Sequence, residues 1–427
     1  MSTAPPRPAR IGIVTGAHLC RNPRVVKEAS ALAAAGHDVV VIGPALDDAL
    51  AAEDREIVAG AGWRHRYAVD VRADAGWRGQ RARLVRRAGV EATRRLGIER
   101  PEALGYGVRS LLGAARDLGA DLTIGHQEVG TWVCARLARA GRRVGVDVED
   151  WYSRHPTPDQ RAAIPLGLLR DAERTALGGA AYATTTSRAL ADALAESYGV
   201  AAPRVVYNAF PWADREALDG RALDRPAPDG AARLSLHWVS QTIGPDRGLD
   251  LLFDGLRHVP TPVDVHLRGG LPDAHAAWLH AAFPSDVHGL HVHPLVPPGE
   301  LLSRIAEHDV GLALETSGTV NHDLTVSNKI LHYLLGGLAV VATRTTGQEE
   351  VADQAAEAVA LVGQGDARAM GAAIAALAAD PDRLRRSKAA ALDAARRRFC
   401  WERQAPAVVE AAAVALAHPA PSLNPPL

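Results

Sequence analysis

The stretch Arg10–Gly43, RIGIVTGAHLCRNPRVVKEASALAAAGHDVVVIG, decides the fold class. RIGIV is a short apolar run of the kind that forms a buried strand. PRVVKEASALAAAG repeats apolar residues at helical spacing and stops on a glycine, and HDVVVIG is a second apolar run. Strand, helix and strand with short connections make one βαβ unit, whose two strands must run parallel. The alternation continues through RHRYAVDV, DLTIG, GTWVCARLARAG, RRVGVDVED, AYATTTS, RALADALAESYG and RVVYNAF. A second series starts at LSLHWVS and runs through GLDLLFDGLRH, VDVHLRG, LHVHPL, PGELLSRIAEH, DVGLALE, SNKILHYLLGGLAVVATRTTGQEEV and AVALV. The fold class is therefore α/β, with two doubly wound parallel-sheet domains and an expected cleft between them.

The first series spans 1–210. PWADREALDGRALDRPAPDGAA, residues 211–232, is rich in Pro, Asp, Gly and Ala and reads as a linker. The second domain covers 233–395, and a C-terminal helix and tail, 396–427, can pack on either half, including a return onto the N-terminal domain. A chain of 427 residues suits two such domains. A formal net charge of −1 gives no global attraction for nucleic acid, so charge recognition has to be local. Cys20, Cys134 and Cys400 are far apart and odd in number, which fits core residues in a reducing compartment. MSTAPPRPAR lacks a signal-peptide core, and no run reaches the roughly 18 apolar residues of a spanning helix, so a cytoplasmic protein is expected.

In parallel sheets ligands bind outside the carboxyl ends of the strands, so the residues just after strands carry the candidates. In SQTIGPDRGLDLL a strand is read as ending at Ser240, a Gly-Pro turn follows, and Arg247 and Gly248 stand at the start of a helix. A cation beside free backbone N–H groups suits a diphosphate, and a solvated arginine is the alternative. Ser327 is placed as an N-cap with Asn328 and Lys329 in the first turn. A lysine there is disfavoured by the helix dipole unless a phosphate or a neighbouring carboxylate offsets it, and both readings stay open. Glu149 and Asp150 end a strand and could orient or deprotonate a hydroxyl; a helix cap at Asp150 is the other reading. His126 and Glu128 follow another strand. Gly16 allows close backbone approach, and Asn22–Arg24 suit capping at the next helix. His288, His291 and His293 lack complementary metal ligands and read as a solvent-side strand face, while Asp380–Asp382 reads as a Pro-marked cap. No metal site is expected.

Four stretches, GAHLCRNPRVVKEASALAAAGHDVVVIG, VVYNAF, WVSQTIGPDRGLDLL and SNKILHYLLGGLAVVATRTTGQEEV, occur in this order and at similar spacing in bacterial glycosyltransferases. The chain resembles glycosyltransferase family 4 over nearly its whole length. The resemblance implies a GT-B fold of two Rossmann-like domains and transfer of a sugar from a nucleotide diphosphate sugar, the co-substrate, to an acceptor with retention of anomeric configuration. It implies no obligatory metal or other cofactor, with the donor on the second domain and the acceptor on the first. Arg247 matches the family's diphosphate-binding basic residue. Gln241 stands where many members have a second basic residue, and the donor contacts expected are Gly16, Ser240, Gln241, Gly244, Arg247, Gly248, Glu315, Ser327, Asn328, Lys329 and His332. Many members carry two glutamates separated by seven residues, the second on the helix that holds the ribose. His332 occupies that second position here, either bonding a hydroxyl or packing in the helix, and Glu315 is assigned to the donor sugar or ribose. ETSGTVNHD imitates the spacing but puts Asp323 before the helix. Arg247 and Lys329 are the expected catalytic cations, with Glu149 and Asp150 as acceptor-side acids in a region where many members have a histidine. His126 and Glu128 are the further acceptor-side candidates.

A sugar-nucleotide 2-epimerase and a non-catalytic nucleotide-sugar-binding subunit are the rival functions. The implied role is in cell-surface glycan or glycoconjugate synthesis, with a glycan, lipid-linked or small-molecule acceptor. WRGQRARLVRRAGVEATRRLGIER, Trp77–Arg100, holds arginines at 78, 81, 83, 86, 87, 94, 95 and 100 against Glu91 and Glu99. It reads either as a solvated surface helix or as a peripheral contact with an anionic membrane.

Overall fold

The computed structural model of the chain describes residues 8–220, 233–245 and 247–417. Its contacts divide into one unit of Met1–Val206 with Ala405–Leu427 and a second of Tyr207–Gln404. Of the stretch read as a linker, 221–232 lies outside the described residues. Before it, Trp212–Ala217 forms a 3-10 turn whose first amide, Trp212 N–H, donates to Glu402 at 2.8 Å. The closing helix is Trp401–Ala417.

The first unit holds β1 (Arg10–Val14), β2 (Asp38–Ala45), β3 (Arg64–Asp70), β4 (Leu122–His126), β5 (Val144–Val148), β6 (Ala180–Thr185) and β7 (Arg204–Val205). All pair in parallel, in the order β3-β2-β1-β4-β5-β6-β7. The central strands β1, β4 and β5 are almost wholly buried because helices cover both faces, which is why their sequences are continuous apolar runs. The helix Pro23–Ala34 begins at Asn22, whose side chain accepts from Val25 N–H at 3.3 Å, as the capping reading of Asn22 requires.

The second unit holds β8 (Leu234–Thr242), β9 (Val263–Gly270), β10 (Gly289–His293), β11 (Val310–Ala313), β12 (Ala339–Thr343) and β13 (Val359–Val362), in the order β10-β9-β8-β11-β12-β13. Both sheets thus share one winding pattern, with the order reversing beside the first strand of each. Trp238, Phe253 and Ile374 pack one face of the second sheet, and Ile330, Leu334 and Ala391 the other. β8 runs two residues beyond the end assigned at Ser240, through an irregular register between Val239 and Thr242 against β9. Asp380 caps the helix Pro381–Arg397 by accepting from Asp382 and Arg383 N–H.

Of the histidines expected on a solvent-side face, His291 is exposed and His293 half-buried, whereas His288 departs from that reading. His288 is buried, and its ring nitrogens meet Val263 N–H and Leu256 C=O. His266 on β9 stacks on His291 and His293 of β10, and pairs in register with His237 of β8. His237 is fully buried, stacks on His308 at 4.5 Å, and has no partner for either ring nitrogen among the described residues. Burial, with Arg268 nearby, drives its pKa well below the usual value. It therefore stays neutral when folded and binds a proton when unfolded, so its stabilisation is complete above the unfolded pKa near 6.5 and falls away in more acid solution. His237→Phe should remove that component, raising stability at pH 5 relative to pH 8 when the two proteins are compared by chemical denaturation.

Candidate active site

In the second unit the site forms where β8 and β11 lie side by side and their following loops meet. Gly248 caps the helix Leu249–Leu256 with φ of 77°, and a Cβ there would come within 2.6 Å of Leu314 Cβ. Only glycine lets the loop after β8 lean on the loop after β11 in this way. Gly244 is equally tight, against the ring of His275. Arg247 is exposed, and its Nη1 lies 3.4 Å from Ser240 Oγ, a weak contact. It has no ion pair among the described residues. Gln241 is exposed beside it on the strand end.

Glu315 follows β11. Its Oε1 accepts from Ser327 Oγ and from Lys329 Nζ, both at 2.6 Å. The helix Asn328–Gly336 starts with Ser327, which accepts from Lys329 N–H at 3.3 Å. Of the two readings for Lys329, the structure realises the carboxylate. Burial works against the charge of Glu315, but Lys329 outweighs it and holds the carboxyl below its usual range. His332 stacks face to face on Phe210, with centroids 3.6 Å apart and planes 3° off parallel, so it is packed within the helix surface. Asp323 lies in the short helix Val320–Leu324 and binds Ser317 and Thr346 hydroxyls, outside the helix that carries His332.

In the first unit the carboxyl ends of β1, β4 and β5 surround a buried set of charges. Arg24, on the helix after β1, grips Asp147 of β5 through Nε at 2.7 Å and Nη2 at 2.6 Å, and donates to Val206 C=O at 2.8 Å. His126 Nε2 meets Glu28, which also accepts from Tyr182 OH. The four charged groups are at most 2–3% exposed, and two cations balance two anions when His126 is protonated. Burial opposes that protonation, but Glu28 and Asp147 more than offset it and raise the His126 pKa. His126 is thus closed within this network and does not stand open as an acceptor-side group. Hydropathy reading missed Glu28 and Asp147, the latter sitting within VGVDV; a charge at an inward position of a central strand was the available signal.

Gln127 has φ of 59°, the sole positive-φ residue other than glycine among the described residues. Its Oε1 accepts from Gly16 N–H and Thr15 Oγ–H, each at 3.1 Å, so the loop after β1 is tied to the loop after β4. The Gly16 amide is occupied by that bond. Glu128 is half-buried in the first turn of the following helix, where burial raises its pKa. Asp150 caps no helix: the 3-10 turn Tyr152–Arg154 has Trp151 as its N-cap, and Asp150 Oδ1 lies 4.0 Å from His155 Nδ1. Trp151 and Ser153 are anchored by Tyr198 and Glu173, with Ser153 Oγ donating to Glu173 at 2.6 Å. That anchored turn fixes Glu149, whose carboxyl burial pushes up to about 7, partly offset by Arg24. A carboxyl titrating near neutrality is suited to exchanging a proton with a hydroxyl. Among the described residues no group of three or more His, Cys, Asp or Glu is arranged to hold a metal ion.

Two measurements check these placements. Lys329→Ala should cost about 2 kcal/mol, less than a fully buried pair because both side chains keep roughly a quarter of their exposure. Unchanged thermal stability would separate Lys329 from Glu315. Glu149 has a folded pKa above its unfolded one, so its stabilisation is present below the unfolded pKa near 4.5 and lost as pH rises through about 7. Glu149→Gln should therefore stabilise the protein by about 3 kcal/mol at pH 8 and by little at pH 4.5. A pH-independent difference would place the carboxyl in solvent.

Comparison with known proteins agrees with this architecture. Residues 24–211 match the model of Glycosyltransferase Family 4. No curated protein matches the chain by sequence. Among solved structures, HepE of Anabaena in complex with UDP superposes with a TM-score of 0.63 at 16% identity, covering 95% of this chain and 99% of that one. A glycosyltransferase of Rickettsia africae gives a TM-score of 0.62 at 10% identity, over 97% and 100%. The α,α-trehalose 6-phosphate synthase of Burkholderia multivorans gives 0.62 at 14% identity, over 96% and 97%. At these identities the likeness is one of fold, and the fold is GT-B.

Proposed function

We propose, for a GT-B chain whose residues 24–211 match the model of Glycosyltransferase Family 4, that it moves a sugar from a nucleotide diphosphate sugar to an acceptor hydroxyl with retention of configuration. The observation that carries this reading is Arg247, an exposed cation without an ion pair among the described residues, at a helix start where the loops after β8 and β11 converge. Loosening of the anomeric bond builds negative charge on the leaving diphosphate. Arg247 and the free N–H groups of the helix Leu249–Leu256 are aimed where such charge would sit. Uridine diphosphate sugars are the first donors to test, because the related HepE structures hold UDP and UDP-glucose. On the first unit, Glu149 supplies a carboxyl able to take or give a proton near neutral pH.

The acceptor is proposed to belong to cell-surface glycan synthesis at the cytoplasmic side of a membrane. No helix of the described residues is long and apolar enough to cross a membrane. The helix Gly76–Leu96 turns outward Trp77, 68% exposed, and Leu84, 66% exposed, interleaved with Arg81, Arg87 and Arg94. Such a face suits peripheral contact with anionic headgroups. Arg83 and Arg86 are not part of that outward face: Arg83 donates to Val71 and Arg72 carbonyls, and Arg86 turns inward over the Tyr106 ring.

The decisive experiment is incubation with a panel of nucleotide-sugars. Transfer or slow donor hydrolysis supports the transferase, isomerisation would make the chain an epimerase, and binding without turnover would make it a binding subunit. Arg247→Ala should lower turnover by on the order of 2–4 kcal/mol of transition-state stabilisation while leaving the fold intact. Activity should persist in EDTA, since fixed cations would meet the leaving charge; loss with chelator and recovery with Mg²⁺ would contradict that assignment.

A further inference from the structure

A cavity of about 770 Å³ opens in the first unit between the helix Gly76–Leu96, the carboxyl half of β3 and the turn that leads to Ser110. It is built into the fold. Gly107, with φ of 61°, lies so close to Val69 that a Cβ would come within 2.5 Å of it, which brings the turn against β3. Its volume is that of a small-molecule site.

The charges around it do not balance. Asp70 is neutralised by Arg72, with Nη2 at 2.6 Å, and Glu102 by Arg109. Arg78, Arg81 and Arg86 also line the cavity and have no carboxylate partner among the described residues. Arg86 Nε is a buried donor without a hydrogen bond, and its guanidinium lies 4.5 Å from the Tyr106 ring centre. A buried unpaired guanidinium N–H is costly, and an anion entering the cavity would satisfy it. The other lining is apolar: Val69, Ala82, Val85 and Val108, with Trp77 at the rim. Three unpaired cations beside an apolar wall select a ligand that joins the two chemistries.

We propose that this cavity binds a phosphate-bearing amphiphile, its phosphate held by Arg78, Arg81 and Arg86 and its chain laid along Val85 and Trp77. The cavity lies at the carboxyl end of β3, on the same edge of the sheet as Gly16 after β1, two strand spacings or about 10 Å away. Such a ligand is the acceptor, or the anchored part of it; that identification rests on the transferase reading, whereas the binding itself does not.

The test is calorimetric titration of the full chain with decyl phosphate below its micelle concentration, with inorganic phosphate and decyl glucoside as controls. One decyl phosphate should bind per chain, at least tenfold tighter than inorganic phosphate, with no measurable binding of the glucoside. The double variant Arg78→Gln, Arg81→Gln removes two exposed guanidinium groups, of which Arg78 also lies 5.8 Å from the Trp77 ring centre, and should weaken decyl phosphate at least tenfold. Equal affinity for phosphate and glucoside headgroups, or equal affinity of parent and variant, overturns the proposal. Val85→Asp, which puts a carboxylate on the wall, should abolish binding as well, and undiminished binding there also overturns it. Sedimentation with phosphatidylglycerol vesicles separates the sources. Co-sedimentation lost in the variants assigns a bilayer lipid, while soluble binding without co-sedimentation assigns a free phosphorylated acceptor. Titration with UDP on the same samples reports on the donor reading separately, so failure of one is distinguishable from failure of the other.

Discussion

The bidentate ion pair between Arg24 and Asp147 is the contact on which the first unit depends. It joins the first helix to β5, and through Val206 C=O it also holds the chain just after β7. Both side chains are nearly inaccessible to water, and burial of such charges is tolerable only when their hydrogen bonds are satisfied together. Thr184 supplies a further donor to Asp147, and the Glu28–His126 pair lies alongside. Removing any member would leave an uncompensated charge in the sheet. The network therefore fixes where β5 ends, and with it the position of the Glu149 carboxyl. Asp147 and Glu149 lie two residues apart with opposite fates: the first is held ionised by Arg24, and the second is pushed by burial toward its neutral form.

The second unit solves a similar problem with fewer charges. Lys329 stands in the first turn of a helix, where the dipole opposes a cation, and Glu315 offsets that cost from the neighbouring loop. Ser327 serves both partners, accepting from the lysine amide and donating to the carboxylate. Arg247 has no comparable partner among the described residues and is exposed. The two cations thus differ: Lys329 is paired with Glu315 and Arg247 is exposed.

The fold was legible because apolar runs and helical periods alternate without interruption from Arg10 to Val362, and parallel strands buried on both faces leave that signature. The site was legible only in part. Positions after strands could be named from the alternation, which located Arg247, Glu149 and Glu315. Their partners could not, because Asp147 meets Arg24 and Glu315 meets Lys329 across distances that no local pattern encodes. His126 illustrates the limit: it follows a strand as a site residue would, yet its ring points to Glu28 inside the unit. His288 shows the same for a strand edge, since only the fold reveals the Val263 and Leu256 backbone groups that it satisfies.

The departures of this chain from the pattern of the family it resembles have a common electrostatic result. Gln241 is neutral where many relatives carry a basic residue, His332 is stacked on Phe210 where a glutamate would hold a ribose, and Lys329 is paired. Each change alters what the free site offers a diphosphate. One exposed arginine and a helix start would give attraction without a pre-built cage, and Lys329 could act as a second cation on a diphosphate by leaving Glu315. That exchange would free the Glu315 carboxylate at the moment the donor arrives, beside the place where sugar hydroxyls need an acceptor. Donor binding and the availability of Glu315 would then be linked through a single lysine, an economy that relatives with two dedicated cations do not require.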